Sequence, residues 1–381
     1  MTREYMLPNR NIKLLYISGT YYPANAGAEI SAHTLLRLLQ ERGILCKAIT
    51  KVTYDQSTAT TVDIDGVETI IIDENNPEQA ILDIVSTLKP NVILTQLMWS
   101  DIAIKVAAKC NIPSILRVCK IPYEVDISIS SLHAPTEVFA VSKAAAESIF
   151  QSWGRKCAVI PPPIELNLEK ASEQDSFHNP YITMFNPIRR KGGHIFRQLA
   201  ILMPSSKFAF VPGWHCLRDK RGNFDTNILA SINHSLGIQY HGEVPEDIKL
   251  NDIDNIITLN CSADVRSIYS HVKVLCVPSI WEEAFGRVAI EAFMYGIPVL
   301  GSPVGGLREH IVAGGILIED HLEPRAWIKH LVQLESRDVY DYFSNKATTY
   351  VEKYYDLKSI VDEFITLTEA TIVKHEQVHK K

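Results

Sequence analysis

A short aliphatic run followed by a longer helical pattern recurs along this chain, and the whole series occurs twice. Lys13-Leu-Leu-Tyr-Ile17 reads as a buried strand, and Ala28 to Arg42 as a helix stopped by Gly43. Thr69–Ile72, Val92–Thr95, Pro113–Val118, Val138–Val141 and Ala158–Ile160 read as further strands. Asp101–Cys110 reads as a helix, and Ser142 as the N-cap of another over Lys143–Phe150. Pro161-Pro-Pro163 and the polar stretch Glu165–Asn179 then break the pattern as a linker would. It restarts with strands at Tyr181–Phe185, Phe208–Val211, Ile256–Leu259, Val272–Val277 and Pro298–Leu300. Helical patterns at Gly193–Leu202, Gly286–Tyr295, Pro324–Leu334, Arg337–Lys353 and Leu357–Ala370 accompany them. Strands this apolar must be covered on both faces, so each half is expected to be a doubly wound parallel sheet with helices on both sides. Trp214–Asn255 is less regular and reads as an insertion.

Length and composition agree with this division. The 381 residues, 46% of them hydrophobic, allow two domains that each bury a core. A net charge of −6, from 38 Lys and Arg against 44 Asp and Glu, excludes a general nucleic-acid binder. No run of about 18 apolar residues occurs, so no membrane-spanning helix is expected. The first residues lack the apolar core of a signal peptide. The seven cysteines are odd in number and contain no Cys-x-x-Cys, which suits a reducing cytosol better than zinc or disulfide frameworks.

The densest chemical signal is Val274 to Leu300. A buried strand ends at Pro278-Ser279, a loop carries Glu282, Glu283, Ala284 and Phe285, and Gly286 opens a helix. Backbone N–H groups at Gly286, Arg287 and Val288, at the positive end of the helix dipole, suit a phosphate. Glu283 precedes the helix and Glu291 sits inside it, where two carboxylates can accept hydrogen bonds from sugar or ribose hydroxyls.

Glu283-x7-Glu291 with Phe285-Gly286 resembles the donor-site motif of retaining GT-B glycosyltransferases, the GT4 or group 1 family. The resemblance extends to Gly301-Ser-Pro-Val-Gly-Gly-Leu-Arg-Glu309, to Ala263–Tyr269, to Tyr21-Tyr-Pro-Ala-Asn-Ala-Gly-Ala-Glu29, and to Val141-Ser142 and Val159–Pro161. It implies two Rossmann-like doubly wound domains facing a central cleft. Residues 1–165 would carry the acceptor side and 175–355 the nucleotide sugar. Residues 356–381 would form a helix crossing back to the N-terminal domain, although the sequence alone equally allows a helix of the C-terminal domain. It also implies a metal-independent hexosyl transfer with retention, from a nucleotide sugar such as UDP-glucose to a hydroxyl of a glycan or lipid-linked acceptor in polysaccharide biosynthesis. The nucleotide sugar is a co-substrate, and no cofactor is implied.

In this reading Glu283 holds donor-sugar hydroxyls and Glu291 the ribose. Ala284, Phe285, Gly286, Arg287 and Val288 present groups to sugar and phosphate, and Lys191 stabilises the leaving diphosphate. Gly27 and Ala28 let the first loop approach it. Catalysis rests on Glu283 and Lys191. The family's arginine in the loop before Lys191-Gly192 falls on Phe185 or Asn186, with Arg189 or Arg190 as a substitute. The family's histidine falls on Cys119, with Arg117 and Lys120 nearby. A strand-end cysteine is usually a small buried hydrophobe, and His133 reads as an ordinary loop histidine.

Asp63-Ile-Asp65 and Asp252-Ile-Asp254 have the spacing of a metal-binding triplet. The first runs into Gly66 between β-branched runs as a hairpin turn does, the second lies in a polar loop, and no metal is expected. Two other readings stay open: a nucleotide-sugar epimerase on the same fold, and a binding protein that has lost catalysis. A nicotinamide enzyme is disfavoured, because no Gly-x-Gly-x-x-Gly follows Ile17. The acceptor is expected near Leu97–Asp101 and Cys119–Tyr123. Arg37, Arg42 and Lys47 give only a weak case for peripheral contact with the inner membrane face.

Overall fold

The computed structural model describes residues 11–22, 27–51, 60–72, 75–121, 134–165, 175–212, 248–259 and 265–379. His133, Cys216, Cys261 and most of the irregular stretch after Trp214 lie outside them. The chain divides into two compact units, Met1–Ile164 with Leu357–Lys381, and Glu165–Asp356.

The first unit holds strands β1 (Lys13–Ile17), β2 (Leu45–Lys51), β3 (Thr60–Ile64), β4 (Val67–Ile72), β5 (Val92–Thr95), β6 (Ser114–Val118), β7 (Glu137–Ala140) and β8 (Ala158–Val159). Their order is β3-β4-β2-β1-β5-β6-β7-β8, so the chain reverses its winding direction between β1 and β5. All neighbours run parallel except β3 and β4. These two form a hairpin around Asp65 and Gly66, with φ values of 47° and 86°, as a two-residue turn matched to strand twist requires. The Gly66 N–H donates to Asp63 Oδ1 at 2.9 Å, so the first aspartate triplet serves a turn. The second triplet straddles the end of a 3-10 turn, Leu250–Asp252, ahead of the next strand.

Leu15, Ile17, Ile49 and Ile93 of this sheet pack on Ile81 and Val85 of the helix Pro77–Leu88 and on Ala103 and Ala107 of Ser100–Lys109. Ser142 accepts from the Ala145 N–H at 3.0 Å and caps the helix Lys143–Trp153. The last helix runs from Leu357 to His379, well past Ala370, and belongs to this unit. Its Phe364 is fully buried and meets Phe139 of β7 edge-on, with ring centroids 5.5 Å apart. Asp362 accepts from Arg42 at 2.6 Å.

The second unit holds β9 (Tyr181–Phe185), β10 (Phe208–Val211), β11 (Ile256–Thr258), β12 (Val272–Val277), β13 (Val299–Gly301) and β14 (Ile316–Leu317), ordered β11-β10-β9-β12-β13-β14 and parallel throughout. Its core joins Phe196 and Leu199 of the helix Gly193–Leu202 to Phe208, Trp327, Leu331 and Tyr340. Here the winding reverses between β9 and β12.

Phe364→Ala is expected to destabilise the first unit by about 3–5 kcal/mol through the cavity it leaves. Ser142→Ala should cost about 1 kcal/mol through the lost cap. Urea unfolding followed by circular dichroism checks both. A Phe364→Ala midpoint equal to wild type would show that the last helix is not part of that unit's core.

Candidate active site

Open parallel sheets bind ligands beyond the carboxyl ends of their strands, where the winding direction reverses. In the second unit that point lies between the loops that follow β9 and β12. The two loops are joined through the backbone. The Arg190 carbonyl accepts from the N–H groups of Ile280 at 3.0 Å and Trp281 at 3.1 Å. Gly192, at φ 82°, lies so close to Pro278 that a Cβ there would stand 1.9 Å from the Pro278 carbonyl oxygen. The loop after β13 closes the third side. The Gly306 N–H donates to the Glu283 carbonyl at 2.7 Å, and a Cβ on Gly305 would lie 2.2 Å from that oxygen.

This framework brings Lys191 and Glu283 into contact as an ion pair. Glu283 is 9% exposed, and its Oε1 also accepts from Ser279 Oγ at 2.9 Å. Both donors fall on Oε1, so Oε2 takes no bond from the described residues and keeps its lone pairs for a ligand hydroxyl. The ammonium of Lys191 has three donors, of which Glu283 uses one. Arg190 directs its guanidinium over the Trp281 ring, 5.2 Å from the centroid, while Arg189 is exposed. Asn186, at the end of β9, takes a left-handed turn with φ 52° and returns its N–H to the Val211 carbonyl at 2.8 Å. Its role here is to turn the chain, which asparagine tolerates better than most residues.

Gly286, at φ 87°, precedes the helix Arg287–Met294, and no side chain caps that helix N-terminus. Glu291, inside the helix, is 8% exposed. Its Oε1 accepts from Arg287 at 2.9 and 3.1 Å, and its Oε2 from the Tyr269 hydroxyl at 2.9 Å. The side chain of Arg287 thus pairs with Glu291 within the helix. Val288 is partly buried, and its carbonyl lies 3.3 Å from Tyr269 Oη. Ala284 is partly buried beside Glu283, and Phe285 is buried against His310, with ring centroids 4.4 Å apart. Sequence reading expected a cationic site. The structure gives both Lys191 and Arg287 a carboxylate partner, so anion affinity depends on the lysine's remaining donors and on uncapped backbone N–H groups.

In the first unit Gly27 is the first residue of the helix Gly27–Glu41, one position earlier than expected. Behind it lies a buried polar cluster that includes Arg117, Ala28 and Glu29 from the sequence reading. Arg117, 2% exposed at the end of β6, donates to Gln96 Oε1 at 2.9 Å and to Ser31 Oγ at 2.8 Å. Gln96 donates to the Ala28 carbonyl at 3.1 Å. Glu29 accepts from Thr20 at 2.7 Å, and burial raises its carboxyl above the usual range against the pull of Thr20 and Arg117. Burial also pushes the Cys119 thiol up to about 12, so it is neutral at pH 7, although the residue is only partly buried where the sequence suggested a fully buried one. Leu97 and Trp99 flank this point with φ values of 51° and 71°, strain of the kind that collects at functional sites. Tyr123 of the expected acceptor segment lies outside the described residues.

Among the described residues no group of three His, Cys, Asp or Glu side chains is placed to hold a metal ion, and no helix is long and apolar enough to cross a membrane. Lys47 is paired with Glu68 at 2.6 Å, as Arg42 is with Asp362, which removes two cations from the weak basic surface near the first helix.

Two doubly wound strand-helix units define the class of fold, and comparison with known proteins specifies it. Residues 248–350 match the family model "Glycosyl transferases group 1". D-inositol 3-phosphate glycosyltransferase of Corynebacterium diphtheriae is 42% identical over 77 residues, 20% of this chain and 18% of that protein. The enzyme of the same name from Paenarthrobacter aurescens is 27% identical over 209 residues, 53% of this chain and 48% of that protein. The matched stretches thus span less than half the length of these curated relatives. The fold is similar over nearly the whole chain to Anabaena Alr3699/HepE in complex with UDP and glucose, at 15% identity and a TM-score of 0.69, covering 94% of this chain and 100% of that one. Sucrose-phosphate synthase of Thermosynechococcus elongatus gives 15% identity and a TM-score of 0.69, covering 95% and 100%. The chain carries the group 1 glycosyl transferase signature in its second unit, on a GT-B fold.

His310 anchors the helix Gly305–Gly314 behind Phe285. Its Nε2 is buried without a hydrogen-bond partner, and burial lowers its pKa to about 4. The unfolded chain therefore binds a proton between about pH 6.5 and pH 4 that the folded chain refuses. Stability should be fully present above pH 6.5 and fall as the pH drops toward 4, by on the order of 3 kcal/mol from this group alone. Thermal unfolding against pH, with His310→Gln flattening the slope in that window, checks it.

Proposed function

We propose that this chain is a retaining hexosyltransferase. It takes a nucleotide sugar, UDP-glucose being the leading candidate, and passes the sugar to a hydroxyl of a glycan or lipid-linked acceptor in polysaccharide biosynthesis. The observation that carries the reading is the meeting of Lys191 and Glu283 from two adjacent strand loops, beside the uncapped N-terminus of Arg287–Met294. A cation, a carboxylate with one unused oxygen and a row of backbone N–H groups suit a diphosphate bonded to a polyhydroxylated sugar. The complex of the fold relative HepE with UDP and glucose supports the choice of donor.

Negative charge grows on the leaving diphosphate as the bond from the anomeric carbon breaks. Lys191 and the helix N-terminus stabilise that charge where it develops, with Arg190 close by. Glu283 Oε2 accepts from sugar hydroxyls and fixes the ring against the acceptor. Glu291 accepts from the ribose. The reaction as drawn needs no metal, since these groups meet the diphosphate charge. A cytoplasmic setting, where nucleotide sugars are made, fits the reading.

A mass-spectrometric screen of nucleotide sugars with released nucleotide as readout is expected to find one preferred donor. Glu283→Gln and Lys191→Ala should each lower kcat/KM by about 10²–10³. Unchanged transfer in both variants overturns the assignment. Conversion of the donor to its epimer without acceptor would point to an epimerase. Thermal stabilisation by UDP with no turnover on any acceptor would point to a binding protein.

A further inference from the structure

Glu291 is held at two points. Arg287 takes Oε1 through Nε and a terminal nitrogen, and Tyr269 takes Oε2 through its hydroxyl at 2.9 Å. Tyr269 is the last residue of the four-residue helix Arg266–Tyr269 and is fully buried. Its ring lies between two others: Tyr295 is stacked with centroids 5.2 Å apart and planes 18° from parallel, and Phe185 is 5.4 Å away. The ring has no room to swing, so the hydroxyl has a fixed position. A phenol has one proton, and here two acceptors lie within reach, the carboxylate and the Val288 carbonyl at 3.3 Å. The closer and charged acceptor takes it. Burial, with the Glu291 charge adding to it, raises the phenol well above its ordinary range, so it stays a donor at any working pH.

We infer that Tyr269 is a positioning residue for ribose recognition: its fixed hydroxyl sets the plane of the Glu291 carboxylate and so aims the remaining Oε2 lone pair at a ribose hydroxyl of the donor. Arg287 alone cannot set that plane, because its two nitrogens both fall on Oε1 and leave the carboxylate able to turn about that oxygen. Tyr269 removes this rotation. The inference rests on the reading of Glu291 as the ribose acceptor.

Its consequence is a specificity ratio. Ribose lies away from the bond that breaks, so its contacts act on binding in ground state and transition state alike. The test compares kcat and KM for the preferred nucleotide sugar and for its 2′- and 3′-deoxyribose counterparts in wild type, Tyr269→Phe and Glu291→Gln. Wild type is expected to prefer the ribo donor at least tenfold. Tyr269→Phe should raise KM for the ribo donor about tenfold with little change in kcat, and leave the deoxy donor that has lost the recognised hydroxyl nearly unaffected. Equal losses with both donors, or an unchanged ratio where Glu291→Gln abolishes it, would make Tyr269 a packing residue and overturn the proposal alone. A wild type indifferent to both deoxy donors would remove the ribose role of Glu291 and overturn the proposal with it. If Tyr269→Phe fails to fold, 4-fluorophenylalanine at 269 fills the space of the hydroxyl but has no proton to donate; the ribo-to-deoxy ratio should then fall, and an unshifted ratio overturns the proposal.

Discussion

The approach of Gly192 to Pro278 is the contact on which the donor-side geometry depends. Only a residue without a Cβ, and free to take φ 82°, lets the β9 loop lie against the β12 loop at this distance. That contact brings the Arg190 carbonyl within reach of two N–H groups across the gap, and it places Lys191 where its chain reaches Glu283. Gly305 and Gly306 do the same from the β13 side, holding the Glu283 backbone so that its carboxylate has one orientation. The site is therefore a product of backbone packing first and of side-chain charge second.

Charge follows from that arrangement. Each of the two glutamates arrives with its own cation, Lys191 for one and Arg287 for the other. Nearly buried carboxylates are costly without partners, and a buried pair is tolerated when further hydrogen bonds complete it, as Ser279 and Tyr269 do here. In a chain with net charge −6, the cations at this point are thus held against carboxylates, beside a helix N-terminus that no side chain caps.

The first unit has the same logic in a different chemistry. Its winding reverses between β1 and β5, and there the loops meet with Gly19 donating to the Met98 carbonyl at 2.8 Å. Beneath them Arg117 ties Ser31 of the first helix to Gln96 after β5, so the head of that helix is fixed by a cation that never reaches the surface. At the end of β6 Cys119 offers a neutral thiol, and the buried polar contacts nearby are made by Arg117 and Glu29.

Most strands and helices could be read from the sequence, because strands covered on both faces are continuous apolar runs and helices between them carry their own caps and stops. The helix Pro77–Leu88 and the strand Ile316–Leu317 were not read, and two further exceptions have local causes. Leu45–Lys51 was hidden by Lys47, whose amine escapes to Glu68 at the sheet surface, and the helix Gly305–Gly314 by the glycines that open it. The glutamate pair, Lys191 and the hairpin at Gly66 were legible because their chemistry is local, in spacing and residue type. The pairing of Lys191 with Glu283, the clamp of Tyr269 on Glu291 and the network of Arg117 were not, and the allegiance of the last helix to the first unit was implied by the family resemblance while the residues alone left it open. Each joins residues far apart in the chain, through a strand order that no local pattern encodes. The sequence determined which chemical groups stand at the ends of the strands; the tertiary structure alone decided which ends are neighbours, and so which groups meet.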